Sequence, residues 1–169
     1  MTTPPVPDDP PRANPLDALL RENARARSEL LAALDAVPAA RRTELWYGEW
    51  SLRDIVAHLA AWQEGCAVAL ESLARGEPPR IPGFDEAAGG EAFNAARAAE
   101  HRHDSWEQVM ALLHAARERH EAAVRALPAA VEPERYQEGR TAYRLAAMPG
   151  GHDQGHLEPV LTWRREQGL

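Results

Sequence analysis

The sequence predicts an all-α protein built as a four-helix bundle. Apolar residues recur at helical spacing in four separate stretches, a serine-capped start opens the second, and prolines close the first and third. At 169 residues and 18.6 kDa the chain can bury one sizeable core and is too short for two comfortable domains.

Residues 1–14 carry Pro4, Pro5, Pro7, Pro10 and Pro11, which neither donate backbone hydrogen bonds nor continue a helix. They predict a flexible tail ahead of one domain spanning 15–169. Helix one follows from Leu16 to Val37, with Leu16, Leu19, Leu20, Leu30, Leu31, Leu34 and Val37 mainly on one stripe and Pro38 ending it. Ala39 to Trp50 is a connector with room for one short helical turn. Helix two is signalled most strongly: Ser51 is a natural N-cap, Asp54 completes a variant capping box, and Trp50 and Ile55 stand where a hydrophobic staple puts them. It runs to Arg75. Ile55, Leu59, Trp62, Cys66, Ala69 and Leu73 alternate spacings of four and three and form an inward seam, with His58 at its edge.

A Pro- and Gly-bearing loop from Gly76 to Phe84 leads to a short Ala-rich helix at Glu91 to Glu100. A connection longer than about twenty-five residues is too long for a hairpin between antiparallel neighbours, and reads as a crossover between helices two and three. Helix three spans Asp104 to Leu127, with Trp106, Val109, Met110, Leu113, Val124 and Leu127 on its apolar face and Pro128 closing it. Thr141 to Met148 reads as a separate helical turn, cut off by Pro149 and Gly150. Helix four then runs from Gly151 to Glu166, carrying His152, His156, Val160 and Trp163 on one side, and Pro159 should kink it.

Composition narrows the function. Acidic residues outnumber basic ones by 26 to 19, for a net charge of -7 with no concentrated basic stretch, which argues against nucleic-acid and anionic-membrane surfaces. The chain contains no Lys, which excludes Schiff-base, P-loop and Ser-Lys chemistry. Without a spanning apolar run or a signal-like N-terminus, the expected location is the cytoplasm. Cys66 alone forms no internal disulfide and no thiolate cage, and its place in the apolar seam reads as inert packing. A metal would therefore be held mainly by nitrogen and oxygen.

His152 and His156 stand at i and i+4, one turn apart on one helical face, where two imidazoles can share an ion or be two independently placed histidines. His58 is either a core-edge histidine bonded to a carbonyl or the third member of a three-nitrogen face with coordination positions left open. Arg117 and His120 share the helix-three face of Leu113 and Val124, lining a polar pocket or lying exposed at the helix end. Ser51 reads as a cap, and His101 and His103, at i and i+2, do not face one another. Asp153 stands where it could orient a ligand histidine, Glu64 is a general base if the helix turns it inward, and Trp62 neighbours the site.

The segment Gly48-Glu49-Trp50-Ser51-Leu52-Arg53-Asp54-Ile55-Val56-Ala57-His58-Leu59-Ala60-Ala61-Trp62 resembles the helix-two signature of the DinB-like bundles, and His152 to Trp163 resembles their helix-four His-x-x-x-His motif. Pro82-Gly83-Phe84, Phe93-Asn94 and Ser105-Trp106 are similar to the ClbS/DfsB branch. The resemblance implies an up-down-down-up course, a homodimer, and a divalent transition metal such as zinc, nickel or iron on His58, His152 and His156. The implied chemistry is a thiol-dependent transfer to a small electrophile, or hydrolysis, in detoxification or stress response; the alternative is a non-catalytic metal- or small-ligand-binding bundle. Pro149-Gly150-Gly151 and Pro159 depart from the pattern on either side of the paired histidines.

Overall fold

The computed structural model of the chain describes residues 15–127 and 141–169. The predicted tail over 1–14 and the closure at Pro128 lie outside them. Five α-helices follow in order: α1 (Pro15–Asp35), α2 (Leu52–Ala74), α3 (Gly89–Glu100), α4 (Trp106–Ala126) and α5 (Thr141–Gln167). A single 3-10 turn, Ala39–Arg41, fills the first connector, and no strand forms among the described residues.

Local chemistry sets the helix starts. Ser51 Oγ accepts from the Asp54 amide at 3.3 Å while the Asp54 carboxylate accepts from the Ser51 amide at 2.8 Å, so both halves of the predicted capping box are present. Ser105 and Gln108 make a second box, which starts α4 at Trp106, two residues later than the apolar pattern suggested. The short helix expected at Glu91 to Glu100 is α3.

The largest correction concerns α5. Thr141 to Met148 is not a separate turn; one helix runs from Thr141 to Gln167 through both Pro149 and Pro159. A helical proline leaves the carbonyl four residues before it without a donor. For Pro149 that carbonyl belongs to Leu145, and the Nε2–H of His120 on α4 donates to it at 3.0 Å. The next carbonyl, of Ala146, accepts from Asn23 Nδ2 on α1 at 2.9 Å. Tertiary donors thus replace or supplement the helix's own bonds at the proline. Gly150 completes the junction: a Cβ there would stand 2.3 Å from Asn23 Oδ1, so only glycine admits this approach of α1 to α5. Pro159 frees the Gly155 carbonyl on the exposed face of the helix, where water can take it.

The long helices bury their stripes against one another, α2 mainly on α4, α1 on α5, and α2 also on α5. One apolar cluster gathers Leu30, Leu34, Ile55, Leu59, Val109, Leu113, Val160 and Trp163; a second gathers Leu16, Leu20, Leu70, Val124 and Ala146. Between the two, at corresponding levels of the four helices, lies a buried polar layer: Asn23 and Arg27, then Gln63, then Arg117 and His120, then Asp153. Among the described residues no helix is long and apolar enough to cross a membrane.

Candidate metal centre

Beside the polar layer, α2 presents His58 and α5 presents His152 and His156. One ring nitrogen from each lies within 4.8 Å of the others. His58 Nε2 and His152 Nε2 are 2.8 Å apart, a distance at which one imidazole donates to the other. His58 is 5% exposed, and the other two are half-buried. Burial, then the neighbouring His156, push His58 down to about 4; burial, then the other two imidazoles and Arg27, push His152 down to about 3; burial lowers His156 as well. At neutral pH all three are uncharged, the form that ligates metal.

This donor set fits a transition metal. Three neutral imidazoles suit zinc, nickel or iron and disfavour magnesium and calcium, which prefer oxygen. Donors sharing an ion at about 2.0 to 2.1 Å lie no more than about 4.2 Å apart, so a contraction of under about 1 Å brings the cluster within range. The buried Nδ1 atoms of all three rings have no hydrogen-bond partner, while a hydrogen bond with the Asn94 side chain partly offsets the lowering of His58.

Aromatic residues enclose the cluster. The Trp50 ring stands 5.0 Å from His58, Tyr47 6.2 Å from His156 and Trp62 6.4 Å from His152, all edge to face. A cleft of about 490 Å³ opens onto His58 and His156 and is also lined by Tyr47, Glu49, Trp50 and Asn94. Asn94, on α3, accepts from Trp62 Nε1 at 2.8 Å, and Trp62 packs edge to face on Phe93. α3 therefore forms part of the cleft wall.

The other predicted residues go elsewhere. Arg117 and His120 neither line this cleft nor lie exposed: they are 7% and 0% exposed, Arg117 bonded to Asp153 and His120 to Leu145. Burial lowers His120 to about 4. The Asp153 carboxylate accepts from Arg27, Arg117 and Gln63, and bonds to no imidazole. Glu64 is half-buried, pairs with Arg119 and lines a different groove, between α2, α3 and α4. Cys66 is buried, with its thiol pushed up to about 12. Tyr47, Asn94 and Arg27 escaped the sequence reading. Tyr47 and Asn94 sit outside the four stripes, but Arg27 had a signal, being a charged residue on the stripe between Leu20 and Leu30.

The described residues form an all-helical protein in which two histidines on the last long helix face a third on the second, a cluster that could hold a metal ion. Residues 23–160 match the DinB superfamily, and the chain belongs to it. Its fold is similar to that of an uncharacterised protein from Escherichia coli UTI89, seen in a crystal structure, with a TM-score of 0.74 and 16% identity over 91% of this chain and 95% of that one. No curated protein matches the sequence.

Proposed function

We propose that the protein holds one divalent transition metal ion, zinc, nickel or iron, on His58, His152 and His156, and acts on a small electrophile in the adjoining cleft. The reaction is a thiol-dependent transfer or a hydrolysis, in the service of detoxification or stress response. The observation that carries this reading is the convergence of three neutral imidazoles beneath an open cleft. When bound, such an ion lowers the pKa of a thiol or water and so supplies a nucleophile at neutral pH. The chain's own part is to hold the three rings uncharged, to wall the cleft with Trp50 and Tyr47, and to place the Asn94 carboxamide beside the reacting molecule.

Metal-loaded protein should turn over glutathione, bacillithiol or mycothiol with a generic electrophile, or hydrolyse an activated amide or ester, and His58→Ala should abolish the activity. Failure with all of these favours the second reading, a non-catalytic metal- or small-ligand-binding protein. One observation favours that alternative: the two carboxylates the sequence offers as catalytic assistants, Asp153 and Glu64, are both committed to arginines, which leaves Glu49 as the carboxylate lining the cleft. The reading also includes an up-down-down-up course with α3 in the crossover, and a homodimer; light scattering at micromolar concentration should give twice the chain mass, and a monomer mass removes the dimer.

A further inference from the structure

The Asp153 carboxylate is fully buried and accepts hydrogen bonds from three other helices. From α1, Arg27 bonds it with both edges of its fork, Nε to Oδ2 at 2.9 Å and Nη2 to Oδ1 at 3.0 Å. From α4, Arg117 Nη2 reaches Oδ2 at 2.6 Å. From α2, Gln63 Nε2 reaches Oδ1 at 3.4 Å. With α5 itself, all four long helices meet at one side chain, adjacent in sequence to His152.

We propose that Asp153 is the positioning residue of the histidine cluster: its hydrogen bonds fix the rotation of α5 so that His152 and His156 face His58. The bearing of this on function rests on the metal reading above, but the geometry does not. Neighbouring residues on a helix point about 100° apart, so holding Asp153 on the bundle axis holds His152 and His156 on the flank toward α2. On α5, Leu157 and Val160 would pack with some freedom of rotation, because apolar contacts are not directional. Hydrogen bonds to a carboxylate are directional. Gln63 lies on the same helix as His58, so α2 and α5 are tied together both at the carboxylate and at the imidazoles.

The network is poorly explained by stability alone. Two guanidinium charges share one carboxylate, and Arg27 Nη1, Arg117 Nε and Arg117 Nη1 are buried with no hydrogen-bond partner. Apolar replacement of a buried charged cluster of this kind is often neutral or stabilising, whereas removal of one member strands the others. This separates folding from positioning, because apolar replacement of the charged cluster keeps the helices packed while removing the hydrogen bonds at Asp153. The Leu145 and Ala146 carbonyls, a full turn or more away from the histidines, are then where hydrogen bonds still hold α5 from the bundle interior.

The test uses the full chain as wild type, as Arg27→Met/Asp153→Leu/Arg117→Met, and as Gln63→Leu. Nitrogen-15 spectra of the metal-free proteins report the histidine side chains, and cobalt(II) titration reports affinity and ligand-field absorption. The triple variant should keep its helical circular dichroism and cooperative melting, lose the wild-type resonances of His58 and His152, and bind cobalt about 10- to 100-fold more weakly with an altered visible spectrum. Gln63→Leu should move the same resonances by less. A folded triple variant with wild-type histidine resonances and a wild-type cobalt spectrum overturns the proposal. Should the triple variant not fold, Gln63→Leu decides alone, unchanged histidine resonances overturning the proposal and displaced ones supporting it. If wild type binds no cobalt, the metal reading fails while the metal-free spectra still test the positioning role.

Discussion

His120 and His58 share a chemistry that sequence spacing cannot separate: both are neutral imidazoles at the border of an apolar seam. What separates them is the other helix, since His120 meets the Leu145 carbonyl that Pro149 leaves free, while His58 meets two more imidazoles. Both, with His152, titrate well below the ordinary histidine value near 6.5, His58 and His120 at about 4 and His152 at about 3. A group whose folded pKa is depressed leaves the unfolded chain binding more protons, so its contribution is fully present above the unfolded pKa and is lost as pH falls. The urea midpoint of metal-free protein should therefore drop as pH goes from about 6.5 toward about 4. A midpoint that stayed level across that window would mean these imidazoles are not held neutral by burial. Arg27 was legible in principle, since a charge on an apolar stripe must find a partner. Its partner was not legible, because it lies 126 residues away.

At the scale of the element, local signals place the helices and a lone proline misplaces one boundary. Ser51 with Asp54 and the four stripes depend on residues a turn apart, so α1, α2 and α4 fall within a few residues of where periodicity put them. Pro149 was read as a break because the sequence shows the lost donor and not its replacements, which come from His120 and Asn23 on other helices. That junction makes Gly150 a packing residue. In Gly150→Ala the new Cβ meets the Asn23 Cα at 3.2 Å as well as its Oδ1, and backbone cannot move aside. The substitution should cost about 1 to 3 kcal/mol despite alanine's better helix propensity. Gly151→Ala, where a Cβ meets nothing within 4 Å, should be neutral or stabilising by up to about 1 kcal/mol. Paired denaturant melts check both, and equal effects at the two glycines would contradict the close approach of α1 to α5.

Over the whole molecule, four helices each place polar residues at one level between two apolar clusters, and the histidine cluster sits beside that level. The all-helical class could be read from short-range motifs, whereas spacing alone left each histidine open and only the resemblance to the DinB-like bundles grouped His58 with His156 and with His152, 94 residues away. The aromatic walls from Tyr47 and Trp50 and the contribution of Asn94 could not, since connector and crossover residues carry no periodicity to fix where they fold back. The histidines stand on α2 and α5, far apart in sequence, so the ligand set exists only in the folded chain and a bound ion should stabilise it, by roughly 2.7 kcal/mol at a hundred times its dissociation constant. The central claim is that the three form one metal site, and the direct measurement is the metal content of the purified protein before and after soaking with zinc or nickel. One ion per chain is the predicted result, reduced by His58→Ala, His152→Ala or His156→Ala and retained in His103→Ala and His114→Ala; a wild-type protein that stays metal-free in both states would contradict it.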